Sequence, residues 1–140
     1  MKPLKIEEVL KEQGMFINTT TGYSMFPMLR DRKDTIVITP YEGRLKKFDV
    51  PLYKVEDRYI LHRIIEVLPD SYVIRGDNCE MKEYGITDQD ILGVLTSFYR
   101  GDKEVNMNGL GYRFYVRLWY YTFGLRKAVK FLYRKVKYRK

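Results

Sequence analysis

The sequence predicts a mostly β, antiparallel domain with a short N-terminal helix and a basic, amphipathic C-terminal helical tail. Three observations carry this. Residues 15–100 hold β-branched and aromatic runs broken by Pro, Gly, Asp and Asn, with no helical pattern alternating between them. The chain has 140 residues, which fits one domain of ordinary size. The charge is split: the net +8 divides into 16 basic and 18 acidic residues before position 109, and ten Lys/Arg with no Asp/Glu after it. A body of −2 therefore ends in a tail of +10, which also holds ten of the 21 aromatic residues.

The boundaries follow as 1–14 for the N-terminal helix, 15–108 for the β domain and 109–140 for the tail. In Leu4 to Gln13, the apolar residues Ile6, Val9 and Leu10 recur at helical spacing, and Gly14 supplies the stop. Thr19 to Gly22 reads as a polar, turn-like approach to Tyr23-Ser24-Met25-Phe26-Pro27. Asp34 to Thr39 is β-branched and reads as a strand, and Pro40 to Lys47 as a loop. Val50 to Val55 is a second strand, and Arg58 to Leu68 a longer one. Pro69-Asp70 turns the chain into the returning strand Tyr72 to Arg75, which Gly76-Asp77-Asn78 closes. Ile91 to Tyr99 is the final strand.

Composition excludes several classes. Hydrophobic residues at 45% and charged residues at 31% are globular proportions rather than disordered ones. One cysteine, Cys79, excludes an internal disulfide framework. One histidine and one cysteine, 17 positions apart, do not make a zinc set, and there is no Gly-rich phosphate loop, so no metal and no cofactor are expected. Met1 to Gln13 carries Glu7, Glu8 and Glu12 and lacks the apolar core of a signal peptide. The longest uncharged stretch of the tail, Leu118 to Leu125, falls far short of the ~20 residues of a spanning helix. The expectation is a cytoplasmic protein, peripheral to a membrane if the tail binds one.

The hairpin 58–77 points to chemistry. With Leu68 level with Ser71, paired residue numbers sum to 139 and His62 faces Asp77. Directly opposed antiparallel residues share a face, their Cβ atoms ~4.5–5.5 Å apart. A carboxylate beside a histidine selects its tautomer and favours the imidazolium. Such a pair is most often a satisfied polar contact; with a serine it becomes a nucleophilic machine, and Ser24 is the candidate.

The stretch Gly22-Tyr23-Ser24-Met25-Phe26-Pro27-Met28-Leu29 resembles the nucleophile box of the signal peptidase and LexA-type peptidase superfamily. Phe48-Asp49-Val50-Pro51-Leu52-Tyr53 is similar to its Gly-Asp-Ile-Val strand, with Phe48 where glycine is usual. Tyr59 to Val67 resembles the His-Arg-Ile strand of the archaeal and endoplasmic-reticulum branch, which carries His62 where the ordinary bacterial branch has lysine. Tyr72 to Asn78 is similar to the Lys-Gly-Asp-Asn box, and Ile91 to Leu95 to the Ile-x-Gly-x-Val strand. The likeness runs over residues 20–100.

The resemblance implies a serine endopeptidase of the signal peptidase type, cleaving precursor peptides or proteins after small residues. Ser24 is then the nucleophile and His62 the general base. The acid is Asp77 by the hairpin register, or Glu83, six positions further on, by family analogy. Met25 and Pro27 shape the substrate groove or pack beneath it, packing being the expected role of Met25. Serine needs a base to take its proton, and histidine titrates near neutrality. The Ser24 N–H is the natural first oxyanion donor. Relatives often add a hydroxyl where this chain has Gly22, with Thr21 the nearest substitute; losing such a donor raises a barrier by about 2.7–4 kcal/mol, so slow turnover is expected. The alternatives are a non-catalytic member of the fold and a self-cleaving repressor-like switch. The switch needs an Ala-Gly or Cys-Gly bond upstream of the serine, and none precedes Ser24.

In the tail, Leu125, Ala128, Val129, Leu132 and Val136 recur at helical spacing with basic residues on other faces, and Phe114 to Phe123 is densely aromatic. A basic amphipathic helix of this composition reads as an element that lies on an anionic membrane surface, here through residues 111–140. Packing of the stripe on the β domain is the bland alternative. Nucleic acid is not expected as a partner, although aromatic and basic residues interleave as they do in single-strand binders.

Overall fold

The computed structural model describes residues 5–138; Leu4 of the expected helix and two tail cations, Arg139 and Lys140, lie outside them. Helix α1 (Ile6–Gln13) buries Leu10 and ends on Gly14, whose φ of 70° is the left-handed cap that glycine adopts without a Cβ penalty. Glu7 fastens α1: it accepts from Lys54 Nζ at 3.0 Å and from the Tyr59 hydroxyl at 2.8 Å. Burial acts against its charge, but a backbone N–H, Tyr59 and Lys54 together hold its carboxyl down to about 2.

Among the described residues the chain then forms nine strands in two antiparallel sheets. These are β1 (Phe16–Thr19), β2 (Asp34–Thr39), β3 (Pro51–Val55), β4 (Arg58–Leu61), β5 (Arg63–Val67), β6 (Tyr72–Arg75), β7 (Glu83–Ile86), β8 (Ile91–Arg100) and β9 (Lys103–Val105). The larger sheet runs β1-β2-β8-β3-β4, with β9 also on β8; the smaller runs β5-β6-β7. In β2, alternate residues Asp34, Ile36 and Ile38 are buried, as the period of a half-buried strand requires. The buried Asp34 is satisfied by the Arg30 guanidinium and N–H and by the Gly101 N–H. Tyr53, Ile64, Tyr72, Ile74, Ile86 and Ile91 form a core drawn from both sheets.

The mostly antiparallel β fold with its N-terminal helix and helical tail is the one expected, but three strands are additional. β1, β7 and β9 have three or four residues each, too few for alternation to announce them. The expected long strand 58–68 is two strands: it breaks at His62, where the chain leaves the larger sheet as β4 and enters the smaller as β5.

The hairpin register differs from expectation as well. Leu68 N–H donates to Ser71 O, and Val67 faces Tyr72 and Glu66 faces Val73, in the expected pairing. Ile65 is then bulged out, and Ile64 faces Ile74 and Arg63 faces Arg75. A bulge adds one residue to one strand and moves everything beyond it by one position. His62 is thereby displaced from Asp77.

The chain divides into two compact units, residues 1–107 and 108–140. The second unit consists of helices α2 (Leu110–Tyr121) and α3 (Phe123–Lys137). They meet at Thr122, whose N–H donates to Leu118 O, whose O accepts from Arg126 N–H, and whose φ of −96° and ψ of 8° interrupt the helix. The Arg126 guanidinium lies 3.8 Å from the Trp119 ring centroid and donates to Trp119 O. Among the described residues no helix is long and apolar enough to cross a membrane.

Candidate active site

His62 is placed by the switch between sheets, so its ring is not confined to a ladder position. Its Nδ1 lies 3.1 Å from Glu83 Oε1, at the first residue of β7. The Tyr53 hydroxyl donates to the same Oε1 at 2.9 Å and lies 3.3 Å from Nδ1. Tyr53 has one proton and gives it to the carboxylate, so Nδ1 carries the ring proton toward Glu83 and Nε2 is left with its lone pair. Burial pushes the imidazole below the ordinary histidine range, against the charge and hydrogen bond of Glu83 and the charge of Asp77. The ring is therefore neutral and basic at neutral pH. Burial and Glu83 also push the Tyr53 phenol far upward, which keeps it a donor.

Asp77 has another partner. It accepts from Arg63 Nε at 2.8 Å and from Nη2 at 3.0 Å, and both side chains are buried. Arg63 also donates to Phe48 O at 2.8 Å and to Met28 Sδ at 3.1 Å. The expected pairing of His62 with Asp77 is thus replaced by Arg63 with Asp77, and the carboxylate at His62 is Glu83. The bulge at Ile65 is the cause.

Ser24 sits in the turn before β2, half-buried, with Met25, Met28 and Leu29 buried beneath it. This turn docks on the turn that follows β6. Ser24 O accepts from Asn78 N–H at 2.8 Å, Tyr23 O accepts from the Asn78 amide at 3.1 Å, and Met25 Sδ accepts from Asp77 N–H at 3.3 Å. Met25 is buried beside Ser24 and also touches the groove. Pro27 is not among the groove residues; its O is held by Arg100.

Gly76 measures how close the two candidate residues come. A Cβ on it would stand 2.7 Å from Ser24 O, 2.7 Å from Cys79 Sγ and 3.0 Å from His62 Cδ2. Cδ2 lies across the ring from Nδ1, the atom that meets Glu83. Among the described residues no hydrogen bond joins the Ser24 hydroxyl to the ring; the two line one groove with Glu83.

The groove has a volume of about 530 Å³ and lies between β1 and β4, the two ends of the larger sheet's strand order. Phe16, Ile36, Leu52 and Leu61 give it apolar walls, and Thr19, Thr20 and Thr21 a polar lip. Gly22 has φ of 90°, a conformation a hydroxyl-bearing residue rarely adopts. Among the described residues no group of three His, Cys, Asp or Glu is placed to hold a metal ion.

Sequence reasoning did not single out Tyr53, Arg63 or Gly76. Tyr53 had one legible signal, a tyrosine inside an apolar strand, where a buried hydroxyl needs a partner. The contacts of Arg63 and Gly76 depend on chain segments distant in sequence and had none. No family model, curated protein or solved structure matches the chain.

Proposed function

We propose that the chain is a serine endopeptidase of the signal peptidase type, with Ser24 as nucleophile, His62 as general base and Glu83 as the acid that orients it. One observation carries the reading: Ser24, His62 and Glu83 line one groove, with the Ser24 carbonyl and His62 Cδ2 both against Gly76 and Nδ1 held by Glu83. Three residues from three separated segments meeting in one groove is what nucleophilic catalysis needs and what core packing does not. Asp77 is a positioning residue: it fixes Arg63 and, through Met25 Sδ, the turn that carries Ser24.

In the acylation step Nε2 takes the Ser24 hydroxyl proton as Oγ bonds to the scissile carbonyl carbon, and the carbonyl π pair moves to its oxygen. The Ser24 N–H is the first donor to that oxyanion. Collapse breaks the C–N bond, and the leaving amine takes the proton from Nε2. Water then attacks the acyl-enzyme by the same base. An extended precursor segment fits between β1 and β4, where backbone groups at a sheet edge pair with an added strand.

The test uses the full-length chain with a serine-reactive phosphonate, and mass spectrometry to locate the adduct. Labelling at Ser24, lost in Ser24→Ala and slowed in His62→Ala with unchanged circular dichroism, is the expected result. A folded protein that is not labelled at Ser24 supports a non-catalytic module instead.

A further inference from the structure

Helices α2 and α3 carry an apolar stripe longer than the one the sequence alone suggests. In α2, Leu110, Phe114, Leu118 and Tyr121 are 83, 68, 47 and 74% exposed. In α3, Leu125, Val129, Leu132 and Val136 are 66, 56, 58 and 73% exposed, and no residue of this helix is buried. Within each helix the spacing is three or four; Thr122, which joins them, has φ of −96° and ψ of 8°, outside the helical values, so each helix is projected by itself. The four residues of α2 fall within about 80° of its projection and the four of α3 within about 60°. The Lys and Arg of each helix project outside its arc, and no acidic residue interrupts them. At ~1.5 Å per residue the stripe is about 40 Å long.

We propose that residues 110–137 lie in the plane of an anionic lipid bilayer, with the stripe in the acyl boundary and the cations among the headgroups. Three arguments favour lipid over other occupants. An apolar face flanked by cations alone complements a surface that is apolar below and negative above. A second copy would bring another +10 tail alongside the first, and like charge opposes that pairing. A nucleic acid would engage the cationic face, where Arg126 already lies over Trp119 and Phe123, and would leave the apolar stripe in water. The proposal does not depend on the peptidase reading, because it invokes no residue of the groove.

The test is flotation of the full chain with phosphatidylcholine vesicles, with and without phosphatidylglycerol. Binding should be tenfold or more tighter with the anionic lipid and should weaken as salt rises, because each cation near the surface contributes about equally to the attraction. Leu125→Glu with Leu132→Glu should abolish flotation, and Gly111→Ala, whose Cβ meets nothing, should not. Circular dichroism and thermal denaturation of the double variant separate a lost membrane face from a lost fold. Absence of flotation with anionic vesicles overturns the proposal. So does flotation that the two glutamates leave intact, which would mean charge alone; so does a dimer in sedimentation, or tight binding of single-stranded DNA, that the same variant dissolves while vesicles are ignored.

Discussion

Oε1 of Glu83 stands 3.1 Å from Nδ1 of His62, and the buried hydroxyl of Tyr53 donates to that same oxygen at 2.9 Å. The tyrosine fixes the carboxylate, the carboxylate fixes the ring proton on Nδ1, and Nε2 remains the base. Glu83→Gln can present its amide to Nδ1 and stabilise the wrong tautomer. It should slow phosphonylation of Ser24 by about 10⁴, the size of effect seen where a triad acid is lost. Tyr53→Phe removes only the support and should cost about tenfold, as loss of one positioning hydrogen bond does. Acylation by Glu83→Gln at the wild-type rate would remove Glu83 from the machinery.

Asp77 behaves differently. Removing one partner of a buried ion pair leaves the other uncompensated, at a cost of about 3–5 kcal/mol. Asp77→Asn should therefore lower the melting temperature far more than Glu83→Gln does. Urea denaturation of the two variants checks it; equal stabilities would mean that Arg63 does not depend on Asp77 as described.

His62 is the only histidine, so one resonance reports the site. Burial lowers its affinity for a proton, and Glu83 and Asp77 only partly restore it. In the proposed mechanism the free base is the competent form. The rate of acylation should rise with pH along a limb below the ordinary histidine value and be flat through neutrality. Glu83→Gln removes the largest restoring influence, so the resonance should titrate at still lower pH. An imidazole titrating above the ordinary value would contradict this account of its surroundings.

Much of the fold was legible because its longer strands are written in β-branched residues and its turns in Pro, Gly and Asp. The smaller sheet shows where legibility stopped. Arg58 to Leu68 carries no mark of the sheet switch at His62 or the bulge at Ile65, because neither changes which residue types the strand prefers. The bulge took Asp77 out of register with His62, and Asp77 pairs with Arg63 instead. β7, which delivers Glu83, is four residues long and contains Gly85, so it did not read as a strand. Ser24 and His62 were legible as residue types in family-like boxes; their approach around Gly76 is a tertiary fact.

Gly76→Ala tests that approach. The new Cβ would press on the Ser24 carbonyl, which is backbone and cannot rotate away, and on Cys79 Sγ. Overpacking of this kind costs about 1–3 kcal/mol, and Ser24 labelling should fall by about 10², as a displacement of ~1 Å does. Adding Cys79→Ala relieves one clash and should recover part of the stability but not the labelling. Full recovery of labelling would show that the thiol, and not the Ser24 turn, is what Gly76 accommodates.

Phe48 holds φ of 82°, in the left-handed region, at the position where the resembled strand has glycine. It is pinned there: its N–H donates to Ile64 O at 2.8 Å and its O accepts from Arg63 at 2.8 Å, so the backbone cannot relax without loosening the Asp77 anchor. An L side chain in this region costs about 1–2 kcal/mol. Glycine removes that strain but adds about 0.5–1 kcal/mol of unfolded-chain freedom. Glycine and alanine both lose the ring, so the strain shows in their difference: Phe48→Gly should be more stable than Phe48→Ala by up to ~1 kcal/mol, roughly 3–5 °C in melting temperature for a chain of this size. Phe48→Ala keeps the Cβ and loses the ring, so it should melt below the wild type. Thermal denaturation of the three proteins separates the causes: if the alanine variant is as stable as the glycine variant, the backbone strain is not what Phe48 carries.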